Sequence, residues 1–252
     1  MNNKEKVVAL LKSIETGASE PVGYINPNKY IQHNLGIENG LEGFGKVLQA
    51  LPPNSAKVNT VRAFQDGEYA FAHTEYNFFG PKTGFDIFRF EDDKIVEHWD
   101  NLQEIAGPNP SEHTMFDGSV ELKDLNKTAD NKTLVTNFVK DVLMGKNPGK
   151  LTEYFNGDNY IQHNPNIADN LSGLGYALQA MAEQGIEMKY DKIHMTLGEG
   201  NFVLVVSEGG FAGNHTSYYD LFRVENNKIV EHWDVMETIL PQSQWKNQNG
   251  KY

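Results

Sequence analysis

The chain has 252 residues, with 34 acidic against 22 basic side chains and a formal charge of −12. That balance disfavours nonspecific binding to nucleic acid or anionic lipid, and the lack of cysteine excludes disulfides and thiolate metal sites. The charged opening Met1-Asn2-Asn3-Lys4-Glu5-Lys6 does not read as a signal-peptide core and no apolar run reaches membrane-spanning length, so a cytoplasmic protein is the expectation.

Val7, Val8, Leu10, Leu11 and Ile14 fall at helical spacing, and Gly17 ends the run. Residues 27–31 read as a second short helix that stops near Asn34. A third, after Asn39 or Gly40, carries Leu41, Phe44, Val47, Leu48 and Leu51 and is closed by Pro52-Pro53. The period then changes to two: 58–64, 69–78, 85–90 and 94–102 read as strands, with turns at Asp66-Gly67, Gly80-Pro81 and Asp92-Asp93. Helices followed by an antiparallel meander make an α+β pattern. Residues 106–124, headed by Gly107-Pro108-Asn109-Pro110-Ser111, suit no element and read as a linker able to drape over the first domain.

The programme then restarts. Leu134, Val135, Phe138, Val139, Val142 and Leu143 form a helix ended by Gly145. Tyr160-Ile161-Gln162-His163-Asn164 repeats Tyr30-Ile31-Gln32-His33-Asn34, and 171–180 mirrors 41–50. Lys228-Ile229-Val230-Glu231-His232-Trp233-Asp234 is identical to Lys94-Ile95-Val96-Glu97-His98-Trp99-Asp100. A buried hairpin requires apolar alternation; it does not require the same His and Asp at its end. The pattern reads as a tandem duplication: a first copy over 1–105, a linker over 106–126, a second copy over 127–240 and a tail over 241–252.

Short helices before a curved sheet, the Tyr-Ile-Gln-His-Asn segment, and the Asp86-Ile87-Phe88-Arg89-Phe90 strand leading to Glu97-His98-Trp99-Asp100 resemble the SnoaL-like polyketide cyclases. These belong to the nuclear-transport-factor-2-like superfamily, and the resemblance covers most of the chain, twice over. It implies a cone of sheet closed by helices around a pocket. It also implies that the Asp ending the motif, here Asp100 and Asp234, serves as general acid/base in an intramolecular aldol condensation. The chain departs from the cyclase pattern upstream. Where such cyclases often carry a His with a Gln two residues before it, this chain has Asp86 and Gly84, and Asp220 and Tyr218.

On a strand His98 and Asp100 share one face, Glu97 and Trp99 the other. An odd hairpin loop puts Asp86, Phe88 and Phe90 on the His98/Asp100 face and lets Arg89 pair with Glu97; an even loop puts Arg89 beside Asp100. The first arrangement satisfies every charge and is the expectation. Two carboxylates in a partly apolar cavity cannot both ionise freely, so one should hold its proton to higher pH. Such a group can take a proton from carbon next to a carbonyl. The expected catalytic set is therefore Asp100, His98 and Asp86, with Asp234, His232 and Asp220 in the second copy. Against it stands the plainer reading, in which Asp and His cap a turn at a strand end.

His33 and His163 read either as pocket lining from the end of the second helix or as exposed neighbours of Asn34 and Asn164, which stop it. With Tyr30, Asn34 and Phe88, and with Tyr160, Asn164 and Phe222, they make up the expected ligand-binding residues. Tyr30 and Tyr160 themselves suit core positions with bonded hydroxyls, Trp99 and Trp233 outer-face packing, and His73 a solvent-facing or locally bonded site. No compact metal-ligand motif or phosphate loop appears, Gly198-Glu199-Gly200 reading as a turn, so neither metal nor cofactor is expected. Three classes stay open: a cofactor-free cyclase, isomerase or dehydratase acting on a carbonyl compound, a module holding a small apolar ligand unreacted, and an interaction protein. The duplicated Asp/His set argues against the third. The copies are expected to form an intramolecular pseudo-dimer through their sheets, since tethering gives a roughly millimolar effective concentration; further self-association is left open.

Overall fold

The computed structural model describes residues 1–52 and 55–252, so Pro53, expected to help close a helix, lies outside the described residues. They divide into two units, Met1–Ile105 with Ile239–Tyr252, and Ala106–Thr238. No helix among the described residues is long and apolar enough to cross a membrane.

In the first unit, α1 (Asn3–Thr16) starts at a capping box in which Asn2 and Glu5 each accept the other's backbone N–H. It ends at Gly17, whose φ of 69° is left-handed and free of strain for glycine. After α2 (Gly40–Ala50) come β2 (Lys57–Asp66), β3 (Tyr69–Asn77), β4 (Pro81–Glu91) and β5 (Lys94–Glu104), an antiparallel meander. A two-residue strand, β1 (Ile31–Gln32), joins β5 in parallel, giving the order β1-β5-β4-β3-β2. Val7, Leu10, Ile25 and Tyr30 pack with Phe88, Phe90 and Ile95 into one buried cluster. The helices therefore cover the Asp86–Phe88–Phe90 face of β4.

The second unit repeats this plan. α3 (Thr128–Phe138) runs into a π turn over Val139–Leu143 and is followed by β6 (Ile161–Gln162) and α4 (Asn170–Glu183). Then come β7 (Met188–Glu199), β8 (Phe202–Phe211), β9 (Asn214–Glu225) and β10 (Lys228–Thr238), ordered β6-β10-β9-β8-β7. Val135, Phe138, Phe155, Tyr160 and Phe222 form its core.

Two expectations are corrected. Residues 27–31 are not helical: Asn26 folds its side chain onto the N–H groups of Asn28 and Lys29, and Ile31 and Gln32 then pair with Glu97 and His98. Long-range strand pairing has overridden a local turn signal, and the only helical turn nearby is a 3₁₀ turn at Glu20–Tyr24. Residues 106–124, read as a linker, belong to the second unit. Asn109 Nδ2 donates to the carbonyls of Gln162 and Ile167 at 2.6 and 2.9 Å. In the first unit Asn247 Nδ2 does the same for Asn34 and Ile37 at 2.8 and 2.9 Å. Carbonyls in or just past a short edge strand need donors, and one Asn side chain serves two of them in each unit.

Candidate functional site

The site is built on the β4–β5 hairpin. Glu91 pairs with Lys94 across a two-residue turn whose residues, Asp92 and Asp93, have φ of 46° and 65°. Type I′ turns need positive φ at both positions, which Asp and Asn tolerate. An even turn alone would set Arg89 beside Asp100. A bulge between Arg89 and Phe90 inserts Val96 and restores the other parity. Arg89 thereby faces Glu97, Phe88 faces His98, and Asp86 faces Asp100. Asn226 and Asn227 turn the second hairpin, where the bulge at Val230 gives the pairs Arg223–Glu231, Phe222–His232 and Asp220–Asp234. Arg89 Nε bonds Glu97 at 2.7 Å, and Arg223 bonds Glu231 in the same way.

The expected catalytic residues come together in both units. His98 Nε2 lies 3.1 Å from Asp86 Oδ1, whose Oδ2 accepts from the Tyr76 hydroxyl at 2.7 Å. Asn34 Nδ2 donates to Asp100 Oδ2 at 2.8 Å. Proton positions follow from the surroundings. Gln32 Oε1 accepts the Asn34 backbone N–H, so His98 Nδ1, 3.1 Å from the same oxygen, carries a proton and donates. The contact between Nε2 and Asp86 Oδ1 offers a place where a further proton can bridge imidazole and carboxylate. In the second unit Gln162 Oε1 accepts from His163 and Asn164 backbone N–H groups and from His232 Nδ1. His232 Nε2 sits 3.0 Å from Asp220 Oδ1, and Asn164 Nδ2 donates to Asp234 Oδ2 at 2.7 Å.

Three carboxylate oxygens in these clusters are buried without a partner: Asp100 Oδ1, Asp220 Oδ2 and Asp234 Oδ1. Burial pushes the Asp234 carboxyl above the usual range; His232 pulls it down and Asp220 adds to the rise. Burial, and then the neighbouring carboxylates, raise the phenols of Tyr30 and Tyr160. Both tyrosines are buried as expected, and Phe88 and Phe222 stack on His98 and His232 at 4.4 and 4.7 Å between ring centroids.

His33 and His163 do not join the clusters. Strand alternation places them on the other side, where each stacks on its unit's Trp99 or Trp233 and bonds Glu97 or Glu231. The carbonyls of Gly250 and Thr114 accept from their Nδ1 atoms. His73 is buried and locally bonded, to Arg62 and Thr83, rather than facing solvent. Sequence reasoning missed Gln32 and Gln162, which fix the imidazoles, and Tyr76 and Tyr190, which reach Asp86 and Asp220. One signal was available for the tyrosine: Gly84 interrupts a strand, and a Cβ there would meet the Tyr76 ring at 2.5 Å.

Asp86, His98 and Asp100 offer three ligand atoms within 4.8 Å of one another, as do Asp220, His232 and Asp234, and His113, Asp117 and His163. In the two hairpin clusters a cation would occupy the place where His98 Nε2 faces Asp86 and His232 Nε2 faces Asp220. A pocket of about 440 Å³ opens in the first unit beside Asn34 and Leu102.

Two α+β cones in tandem, each holding a buried Asp–His–Asp cluster, describe the chain. No family model and no curated protein matches it. Among solved structures it is similar to an NTF2-like protein of unknown function from Cytophaga hutchinsonii, at 13% identity and a TM-score of 0.36, over 41% of this chain and 91% of that one. A putative SnoaL-like polyketide cyclase from Shewanella denitrificans gives 11% identity and 0.35, over 43% and 90%. An epoxide hydrolase of the LEH-like kind from M. tuberculosis gives 18% identity and 0.35, over 44% and 85%. Each likeness is one of fold and spans about one copy's length of this chain.

Proposed function

We propose that the cones are small-molecule sites that move protons on a carbonyl compound, in the manner of a SnoaL-like cyclase, isomerase or dehydratase. The observation that carries this reading is the unpartnered Oδ1 of Asp100 and of Asp234, buried next to an imidazole and a second carboxylate. At Asp234, where burial holds the carboxyl above its usual range, such an oxygen is a stronger base than an exposed carboxylate. Asp100 Oδ1 would take the proton from carbon next to the carbonyl, and the C–H electron pair would pass into an enolate. A proton bridging His98 and Asp86 would go to the enolate oxygen, and the reverse transfers would regenerate the site. Asp220 would raise the basicity of Asp234 by like-charge repulsion, adding to the effect of burial. Asp234, His232 and Asp220 would act alike.

The test is solvent-deuterium exchange into a small aryl ketone, comparing the parent with the Asp100→Asn/Asp234→Asn double variant. Loss of a general base should slow exchange by about a hundredfold or more. Undiminished exchange in a variant that still folds would remove these carboxylates from the mechanism. Binding without exchange, for every ketone tried, would leave a module that holds a small apolar ligand.

A further inference from the structure

The pocket of the first unit has apolar walls from Val47, Phe78, Phe79 and Leu102, and a charge pattern unlike the rest of the chain. Lys46, Lys82 and Lys246 line it against a single carboxylate, Glu38, in a protein whose formal charge is −12. Lys46 is spoken for, bonding Glu38 at 2.6 Å and Glu42 at 3.1 Å. Lys82 and Lys246 make no ion pair among the described residues. The three come from separate elements: α2, the start of β4, and the C-terminal segment that packs on this unit.

The pocket adjoins the carboxylate cluster at Asn34, with Tyr76 and Leu102 filling the space over Gly84 between Lys82 and Asp86. Lys82, Gly84 and Asp86 alternate along one face of β4, and Leu102 and Asp100 do so on β5. Asn34 lines the pocket and donates to Asp100. Four residues of strand separate Lys82 from Asp86, about 13 Å.

The second unit keeps the Asp–His–Asp cluster and loses these cations. Tyr176 stands where α2 has Lys46, Thr216 takes the register position of Lys82, and Pro108 precedes Asn109 as Lys246 precedes Asn247. Ala168 replaces Glu38. The chemistry-bearing residues are thus common to both units, while the pocket lining differs between them.

We infer that the first unit selects an amphipathic organic anion, with its apolar or aromatic body against Phe78, Phe79 and Leu102 and its carboxylate on Lys82 and Lys246, and that the second unit lacks this selectivity. The inference names a ligand class for the site proposed above and rests on reading that cone as a small-molecule site. A half-buried pocket of this size suits a body of one or two rings.

The experiment is equilibrium binding of 2-naphthoate and of its neutral counterpart 2-naphthamide to the full chain, followed by calorimetry. The parent should prefer naphthoate by roughly three- to tenfold, as expected for one half-buried and one exposed cation, Lys82 and Lys246. Lys82→Gln/Lys246→Gln should abolish the preference and leave naphthamide binding unchanged. Lys189→Gln/Lys192→Gln, which removes the same charge from exposed positions of the second unit, should leave the preference intact. Equal affinity for the two probes in the parent, binding of neither, or a preference that survives loss of Lys82 and Lys246 would each overturn the inference. Because the readout is binding, a failed exchange assay leaves it standing, and lost selectivity does not touch the carboxylate chemistry.

Discussion

Asp234→Asn should stabilise the protein while disabling the second site. The residue is half-buried, but its Oδ1 is buried without a partner, and burial holds the pKa above the usual range despite the nearby imidazole. A group whose folded pKa is raised carries stability that is fully present below the unfolded value and lost as pH rises through the folded one. At neutral pH the ionised side chain therefore opposes folding. An uncharged amide removes that penalty, and its oxygen can keep the bond from Asn164. The amide nitrogen then takes the place of Oδ1, so what is relieved is the buried charge rather than the missing hydrogen bond, a gain of about 1–2 kcal/mol. For a unit of this size that corresponds to a rise of roughly 3–10 °C in the midpoint of its melting transition. Calorimetric scans of parent and variant between neutral pH and about pH 4 would show it, with the gap widest at the neutral end and closing as Asp234 takes up its proton. A variant that melts below the parent at neutral pH would refute the reasoning, because it would mean that His232 more than compensates the buried charge.

Three further outcomes follow from the same geometry. Asn247→Ala removes two hydrogen bonds to the carbonyls of Asn34 and Ile37 and should cost the first unit about 2 kcal/mol, read from denaturant melts. Glu231→Gln breaks contacts with both Arg223 and His163; burial works against the Glu231 carboxylate, but these partners hold its pKa below the usual range. Its stability is present above the unfolded pKa and lost as pH falls through the folded one, so the variant should lose about 3 kcal/mol at neutral pH and little in acid, again by calorimetry. Asn34→Leu strips Asp100 of the side-chain donor that bonds its Oδ2 and should slow deuterium exchange in the Asp234→Asn background, which isolates the first site.

What was legible in the sequence was whatever repeats or alternates. The identical hairpins and the Tyr-Ile-Gln-His-Asn segments exposed the duplication, and period-two patterning placed β2 to β5 to within a few residues. The Arg89–Glu97 pairing was legible from charge satisfaction alone, although a bulge at Val96 produced the parity that had been assigned to the turn. Illegible were features decided by partners distant in sequence. Ile31-Gln32 is a strand only because β5 is there to pair with, so the sequence leaves open which way His33 points. Asn109 and Asn247 do the same job from segments with almost no other likeness. The reach of Tyr190 to Asp220 from a strand different from that of Tyr76 could not be read from either copy.

The assignment of residues 239–252 to the first unit sets an order of completion during synthesis. Chains commonly fold domain by domain as they emerge. Here the segment bearing Asn247 and Lys251, which bond the carbonyls of Asn34, Ile37 and Asp100, is translated after the whole of the second unit. The second unit, whose covering segment precedes its helices, can close as soon as β10 is made. The first must wait with its edge carbonyls wet, so the half that is born first is finished last. For the same reason cutting the chain after Ile105 would release a cone without the residues that cap its edge strand, and stopping short of residue 239 would spare the second unit and leave the first open.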